Sequence, residues 1–283
     1  MLEVIKYQLK NRKNTILFVL SVFGALNLIA WGLEAFKILQ GDTLHITAVG
    51  FWIPLAMAAQ TVTTVVMFFL CSSGHAKSLL YKDTSYLWLS VPRRGWEILG
   101  GRFIAGAVEF LAYAVPVAVF MSIHGAMAGW ASGAAGGGMG FFGALGYMYR
   151  QVFVVNFVPL VQITLIGLLA FMTSGFILTF AIVASRSFVR NRGAATAASI
   201  ALFVLVSNWT MRLGTLASER LGWVFPIRLS LEGPMLRSGN LTVNGSPLTN
   251  TVDVPIAALL LMAVLAGALF AAASWLMEKK VEV

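Results

Sequence analysis

Six continuous apolar runs, each near the length of a membrane-crossing helix, constrain this chain more than anything else in it. They are Thr15–Leu33, Gly50–Cys71, Phe103–Ile123, Leu160–Ala184, Ala194–Met211 and Pro255–Leu276. A helix needs about 20 residues to cross a hydrocarbon core about 30 Å thick. Lipid offers no partner for backbone amides, so such runs must satisfy their hydrogen bonds internally, as helices. A barrel of strands would show short alternating segments instead. Composition agrees: 59% of the residues are hydrophobic and 11% charged, where soluble domains carry about 25% charged residues. The expected fold is all-α, a polytopic membrane protein with six transmembrane helices in a single domain, 1–283. The first run is too long for a signal-peptide core and no A-x-A-like site follows it, so it reads as a retained helix.

Lysine and arginine sort by loop, which sets an expected orientation. One set holds Lys6, Lys10, Arg12 and Lys13, then Lys77, Lys82, Arg93, Arg94 and Arg102, then Arg186, Arg190, Arg192, Lys279 and Lys280. The opposite set holds Lys37, Arg150, Arg212, Arg220, Arg228 and Arg237. Fourteen against six places both termini in the cytoplasm. The formal charge of +9 then reflects topology and anionic headgroups, and nucleic acid is not an expected partner. The expected location is a plasma membrane, crossed several times, in a bacterial cell.

Leu2, Ile5 and Leu9 fall at helical spacing beside a basic stripe of Lys6, Lys10, Arg12 and Lys13. Residues 1–13 therefore suit an amphipathic helix lying in the headgroup layer, with a frayed basic tail as the alternative. Gly125–Gly146 is glycine-rich and reads as an external loop rather than a re-entrant segment, because glycine disfavours helix. The fourth run begins near Val152 and would be about 48 Å long as one helix. Pro159 is the expected break, with Val152–Val158 as an interfacial lead-in. The segment 214–254 is the one sizeable external polar stretch, and Asn244, Gly245, Ser246 and Pro247 mark turns within it.

The catalytic inventory is poor. His45, His75 and His124 fall in three loops with no metal-ligand spacing, and the single cysteine, Cys71, excludes a disulfide and any multi-cysteine metal site. No nucleophile elbow occurs. Gly74-His75-Ala76-Lys77-Ser78 lacks the glycine before lysine that a phosphate loop requires. The chain is expected to bind no cofactor and no metal and to catalyse nothing itself. Glu109 is the ionisable residue placed deepest within a run, and such groups are functional suspects because insertion is costly. It either reaches back to Arg102 or a basic loop residue, or takes part in substrate passage or gating. Gln60, Thr61, Thr63 and Thr64 make the second run the most polar, although packing between helices explains each singly.

The run Tyr81–Arg102 is the most distinctive in the chain. Asp83 or Thr84 caps a short helix ending before Pro92, and that helix carries Tyr86, Leu87, Trp88 and Leu89. So apolar a surface in a cytoplasmic loop suggests docking, with a helix lying on the headgroups as the alternative. This loop, 72–102, resembles the coupling loop between spans two and three in permease subunits of ATP-binding-cassette exporters of the six-span export superfamily. Ser90, Pro92, Arg93, Ile98, Leu99, Gly101 and Arg102 occupy the family's pattern entering the third span. The six spans, amphipathic N terminus and cytoplasmic termini fit the same family, while the glycine-rich segment between spans three and four departs from it.

The resemblance implies a transmembrane subunit that pairs with a second permease, identical or related, and with separate ATPase subunits carrying ATP and magnesium. Asp83, Thr84, Tyr86, Leu87, Trp88 and Leu89 would form the ATPase-coupling helix. Spans two and five would line the pathway, with Gln60, Thr61, Thr64, Ser207 and Asn208 as pathway residues beside Glu109. A secondary active transporter is the alternative, and Pro116 and Pro255 do not form the inverted pair expected of one. A membrane-embedded enzyme is the third reading. In a chain carrying Cys71→Ser, a cysteine introduced at position 244 is expected to react with an impermeant thiol reagent added from outside. Labelling from the cytoplasmic side alone would overturn the orientation.

Overall fold

The computed structural model describes residues 1–40, 48–80, 94–131, 140–229 and 250–279. The elements are α1 (Leu2–Leu39), α2 (Ala48–Ser72), α3 (Ala76–Leu80), α4 (Gly95–Ala131), α5 (Phe141–Arg150), a π-helical turn (Gln151–Val155), α6 (Phe157–Phe188), α7 (Arg192–Leu221), β1 (Val224–Leu229), β2 (Asn250–Pro255) and α8 (Ile256–Lys279). Six of the described helices, α1, α2, α4, α6, α7 and α8, are long and apolar enough to cross a membrane; the first five contain the first five apolar runs, and α8 contains the sixth apart from Pro255, which ends β2. Leu17, Phe18, Val62, Leu111 and Val264 all lie more than half exposed on helix surfaces, where lipid accommodates them. Glu34, Gln60, Glu109 and His124 are instead among the most deeply buried side chains. The chain is a multi-pass, all-α membrane protein.

The helices form two groups of three. In the first, α1 and α2 both pack on α4; in the second, α6, α7 and α8 pack on one another. The groups join where α2 meets α6 and α4 meets α8. Aromatic rings bridge that joint. Phe171 of α6 sits 5.3 Å from Phe68, 5.1 Å from Phe110 and 5.6 Å from Phe103, and Phe176 continues the series to Phe270 of α8 at 4.6 Å. These separations and tilts suit the quadrupoles of the rings. At the same level the backbones nearly touch. A Cβ on Gly106 would sit on the carbonyl oxygen of Cys71, and one on Gly175 on that of Ser72. Glycine is required at both positions because the obstacle is backbone, which cannot rotate away.

Several boundaries differ from the sequence expectation. Residues 2–13 are not a separate interfacial helix but the first turns of the single helix α1. Their Val4 and Gln8 are buried, with Val4 against Gly101 of α4, while Leu2 is exposed. Much of the 125–146 stretch is helical rather than a loop: α4 continues to Ala131, and α5 packs back on its end. Gly125 serves that packing, since a Cβ there would lie 2.8 Å from Cε of Met148. The break before α6 falls at Asn156, whose φ of −108° and ψ of 28° interrupt the helix after the π turn. Pro159 lies three residues later, in the first turn, where its missing N–H costs nothing.

Beyond α7, Gly222 at φ 62° ends the helix in the left-handed conformation that glycine tolerates. The flanks of the 214–254 segment then form a two-stranded antiparallel ribbon, with Val224 opposite Pro255 and Leu229 opposite Asn250. The turn residues Asn244–Pro247 and the coupling-helix residues Asp83, Thr84, Tyr86, Leu87, Trp88 and Leu89 lie outside the described residues.

Gly106→Ala and Gly175→Ala are each expected to destabilise the protein by about 1–3 kcal/mol through overpacking. Gly24→Ala, which meets nothing within 4 Å, is expected to be neutral or mildly stabilising. Thermal unfolding in detergent micelles checks the contrast.

Candidate functional site

Two polar clusters are built between the helices of the first group, one near each end. The first surrounds Glu109 on α4. Its carboxylate is nearly fully buried, and Arg12 of α1 donates from Nη2 to Oε1 at 2.7 Å and from Nε to both oxygens at 3.2 and 3.3 Å. Nε2 of His75 lies 2.9 Å from Oε2. The partner is thus a basic residue from the N-terminal turns, not Arg102. Arg102 points the other way because α2 ends beside it. Gly74 at φ 55° and His75 at φ 54° turn the chain out of the helix and present their carbonyl oxygens to α4. Arg102 donates to the oxygens of Gly74 and His75, both at 3.2 Å, and to Oγ of Ser78 at 2.8 Å.

The left-handed φ of His75 is unusual for a residue with a Cβ and costs of order 1 kcal/mol. It swings the imidazole back toward α4. As a result Cys71, one helical turn earlier, also faces Glu109. One donor atom from each of Cys71, His75 and Glu109 lies within 4.8 Å of the other two.

The second cluster lies fifteen residues further along α4, about 22 Å by helical rise. His124 is fully buried, and its Nδ1 sits 2.8 and 3.0 Å from the carboxylate oxygens of Glu34 on α1. Its Nε2 lies 3.0 Å from Oδ1 of Asn27. Asn27 donates from Nδ2 to the carbonyl of Phe23, so Oδ1 is the accepting atom, and it also receives Nε2 of Gln60 at 2.6 Å. This order fixes the protons. Nε2 of His124 must carry one to donate to Asn27, and one further proton must lie between Nδ1 and Glu34. The pair is therefore neutral overall whichever partner holds that proton.

The structure gathers only some of the residues singled out from sequence. Gln60 joins the His124 cluster. Thr61, Thr63 and Thr64 bond back to the carbonyls of Met57, Ala59 and Gln60, as threonines in apolar helices commonly do. Thr61 is exposed, as is Asn208 on α7, while Ser207 is half-buried. Glu34 escaped notice because it falls one residue beyond the first apolar run, and His124, expected in a loop because it follows the third, lies inside α4 and is buried. Between the clusters lies a narrow apolar crevice lined by Leu20, Phe23, Thr64, Phe110 and Tyr113.

Compared with known proteins, the chain matches no family model, no curated protein and no solved structure.

His124→Ala strands the Glu34 carboxylate in a site closed to water and is expected to cost about 3–5 kcal/mol. Replacing both by leucine is expected to recover most of that loss. Arg12→Gln is expected to cost less than His124→Ala, because the Arg12 side chain is 29% exposed. Denaturant unfolding of the single and double variants checks the order.

Proposed function

We propose that this chain is the transmembrane subunit of an ATP-binding-cassette exporter, pairing with a second permease and driven by separate ATPase subunits. In this reading its basic end, with both termini, faces the cytoplasm across a bacterial plasma membrane. The residues that support it are those of the 72–102 loop, with the apolar run Tyr86, Leu87, Trp88 and Leu89 followed by Pro92, Ile98, Leu99 and Arg102.

The observation that carries the proposal is how firmly both roots of that loop are held. Leu79 and Leu80 of α3 and Ile98 and Leu99 of α4 share one apolar core with the ends of α6 and α8, through Ile182, Val183, Leu276 and Met277. Arg102 ties α4 to the turn after α2, and the backbone N–H of Gly95 donates to Oε1 of Glu278 at 2.6 Å. A push on residues 81–93 would therefore act on the ends of α2, α4, α6 and α8 together. A coupling element needs this property, because close-packed interiors transmit displacement rather than absorb it.

Thr61, Thr64, Ser207 and Asn208 remain the proposed pathway residues, with Thr61 and Asn208 exposed on their helices, while Gln60 is better placed as the buried partner of Asn27. Glu109 is better placed as the structural partner of Arg12 and His75 than as a substrate contact, since its carboxylate is covered.

Trp88→Ala is expected to weaken ATPase docking by about 2 kcal/mol or more, roughly 30-fold, as loss of an aromatic anchor does. Charge reversal at Lys82 or Asp83 should matter less. The test is retention of an ATP-hydrolysing subunit by the affinity-purified chain, alongside coupled hydrolysis, for Trp88→Ala and Leu87→Asp. Undiminished retention and hydrolysis in both would leave residues 83–89 as a helix lying on the headgroups.

A further inference from the structure

The sequence leads to no expectation of metal, since it has one cysteine and scattered histidines. The turn at the end of α2 changes that. We propose that Cys71, His75 and Glu109 form a three-ligand site for a borderline-soft transition-metal ion, zinc(II) foremost.

The donor set argues for the ion. Thiolate and imidazole suit zinc, while magnesium and calcium prefer all-oxygen ligands. Tetrahedral zinc with bonds of about 2.0–2.3 Å places its ligand atoms roughly 3.3–3.6 Å apart. Here Nε2 of His75 and Oε2 of Glu109 stand at 2.9 Å, and all three donors lie within 4.8 Å. Closing on an ion asks for movements of about 1 Å, mostly of the Cys71 thiol. The backbone already carries the costly part of the arrangement, because the left-handed turn at Gly74 and His75 aims the imidazole at α4.

The surroundings fit as well. Ligating carboxylates are themselves hydrogen-bonded in metal sites, and Arg12 supplies that contact from α1. Arg12 also opposes a cation, but the count remains modest. Zinc at +2, a thiolate and a carboxylate at −1 each, and Arg12 at +1 leave a net +1. Binding exchanges the Cys71 S–H bond for a sulfur–zinc bond and releases that proton. The proton lying between Nε2 of His75 and Oε2 of Glu109 must also leave, by moving to Nδ1 of a neutral ring or to solvent from a charged one, before Nε2 can ligate. The buried hydroxyl of Tyr113 lies beside the same three groups, Glu109, Cys71 and Arg12.

The site stands independently of the exporter reading, and its test uses a different readout. Full-length protein in micelles, stripped with chelator, is titrated with cobalt(II) as the spectroscopic stand-in for zinc. Cys71 is the sole cysteine, so any thiolate-to-cobalt charge-transfer absorption reports this site alone. One cobalt per chain with that absorption, displaced by an equivalent of zinc, is expected. Cys71→Ser should abolish the band, and His75→Ala and Glu109→Gln should each weaken zinc binding at least tenfold. The wild-type titration decides even where a variant folds poorly. Absence of the band in the wild-type chain at micromolar metal, or zinc retained equally by Cys71→Ser, would overturn the proposal.

Discussion

The turn that follows α2 draws hydrogen-bond donors from three other helices. The carbonyl groups of Phe69, Leu70 and Cys71 are met locally, by the N–H groups of Ser73 and Gly74 and the hydroxyls of Ser72 and Ser73, and the other helices reach the turn beyond them. The oxygen of Gly74 accepts from Gln8 of α1 at 3.3 Å and from Arg102 of α4 at 3.2 Å. The oxygen of His75 takes a second N–H of Arg102, and that of Ser73 takes the hydroxyl of Thr179 on α6. Each donor arrives on a different helix, so satisfying one terminus sets the packing of four. The glycines at 106 and 175 follow from the same demand, because only they let α4 and α6 come close enough.

From that junction the polar clusters divide the work of holding α1 to α4. Neither is an isolated pair. Each combines a carboxylate, a histidine and further hydrogen-bonding groups, which is how buried ionisable groups avoid being left unsatisfied. The first sits beside the turn after α2, so the roots of the proposed coupling loop, the ion pair and the proposed metal ligands share one region. The second pins the far end, with Gln60 drawing α2 into the same network. Between them the contacts are apolar, through Phe110, Phe171 and their neighbours.

Much of the architecture could be read from the chain because its main signals are local. Six apolar runs of membrane-crossing length need no tertiary information, and each falls within a spanning helix to within a residue at its start. Glu109 stood out for the same reason, as a charge where lipid forbids one. Its partners did not, because Arg12 lies 97 residues away and His75 points inward only through a left-handed turn. Glycine content misled at Gly125, where the missing Cβ makes room for Met148 rather than loosening the backbone. Glu34 and His124 sit just past the ends of their apolar runs, where hydropathy ceases to distinguish solvent from a buried network. The α5 helix was hidden by the glycines around it, although its Ala144 is buried together with Ala126 of α4.

The pairing of α1 with α4 also sets an order of events during synthesis. Arg12 and Glu34 leave the ribosome about 90–97 residues before their partners. At translation rates of about 5–20 residues per second, that is a wait on the order of 5–20 s. Throughout that interval α1 holds two charges that lipid disfavours, with α2 the first neighbour to arrive and Asn27–Gln60 the first polar link it can form. The three-helix group becomes electrostatically complete only when α4 emerges. From then on the ion pairs of α1 are complete, while the contacts of Phe171, Gly175 and Thr179 with this group still await α6.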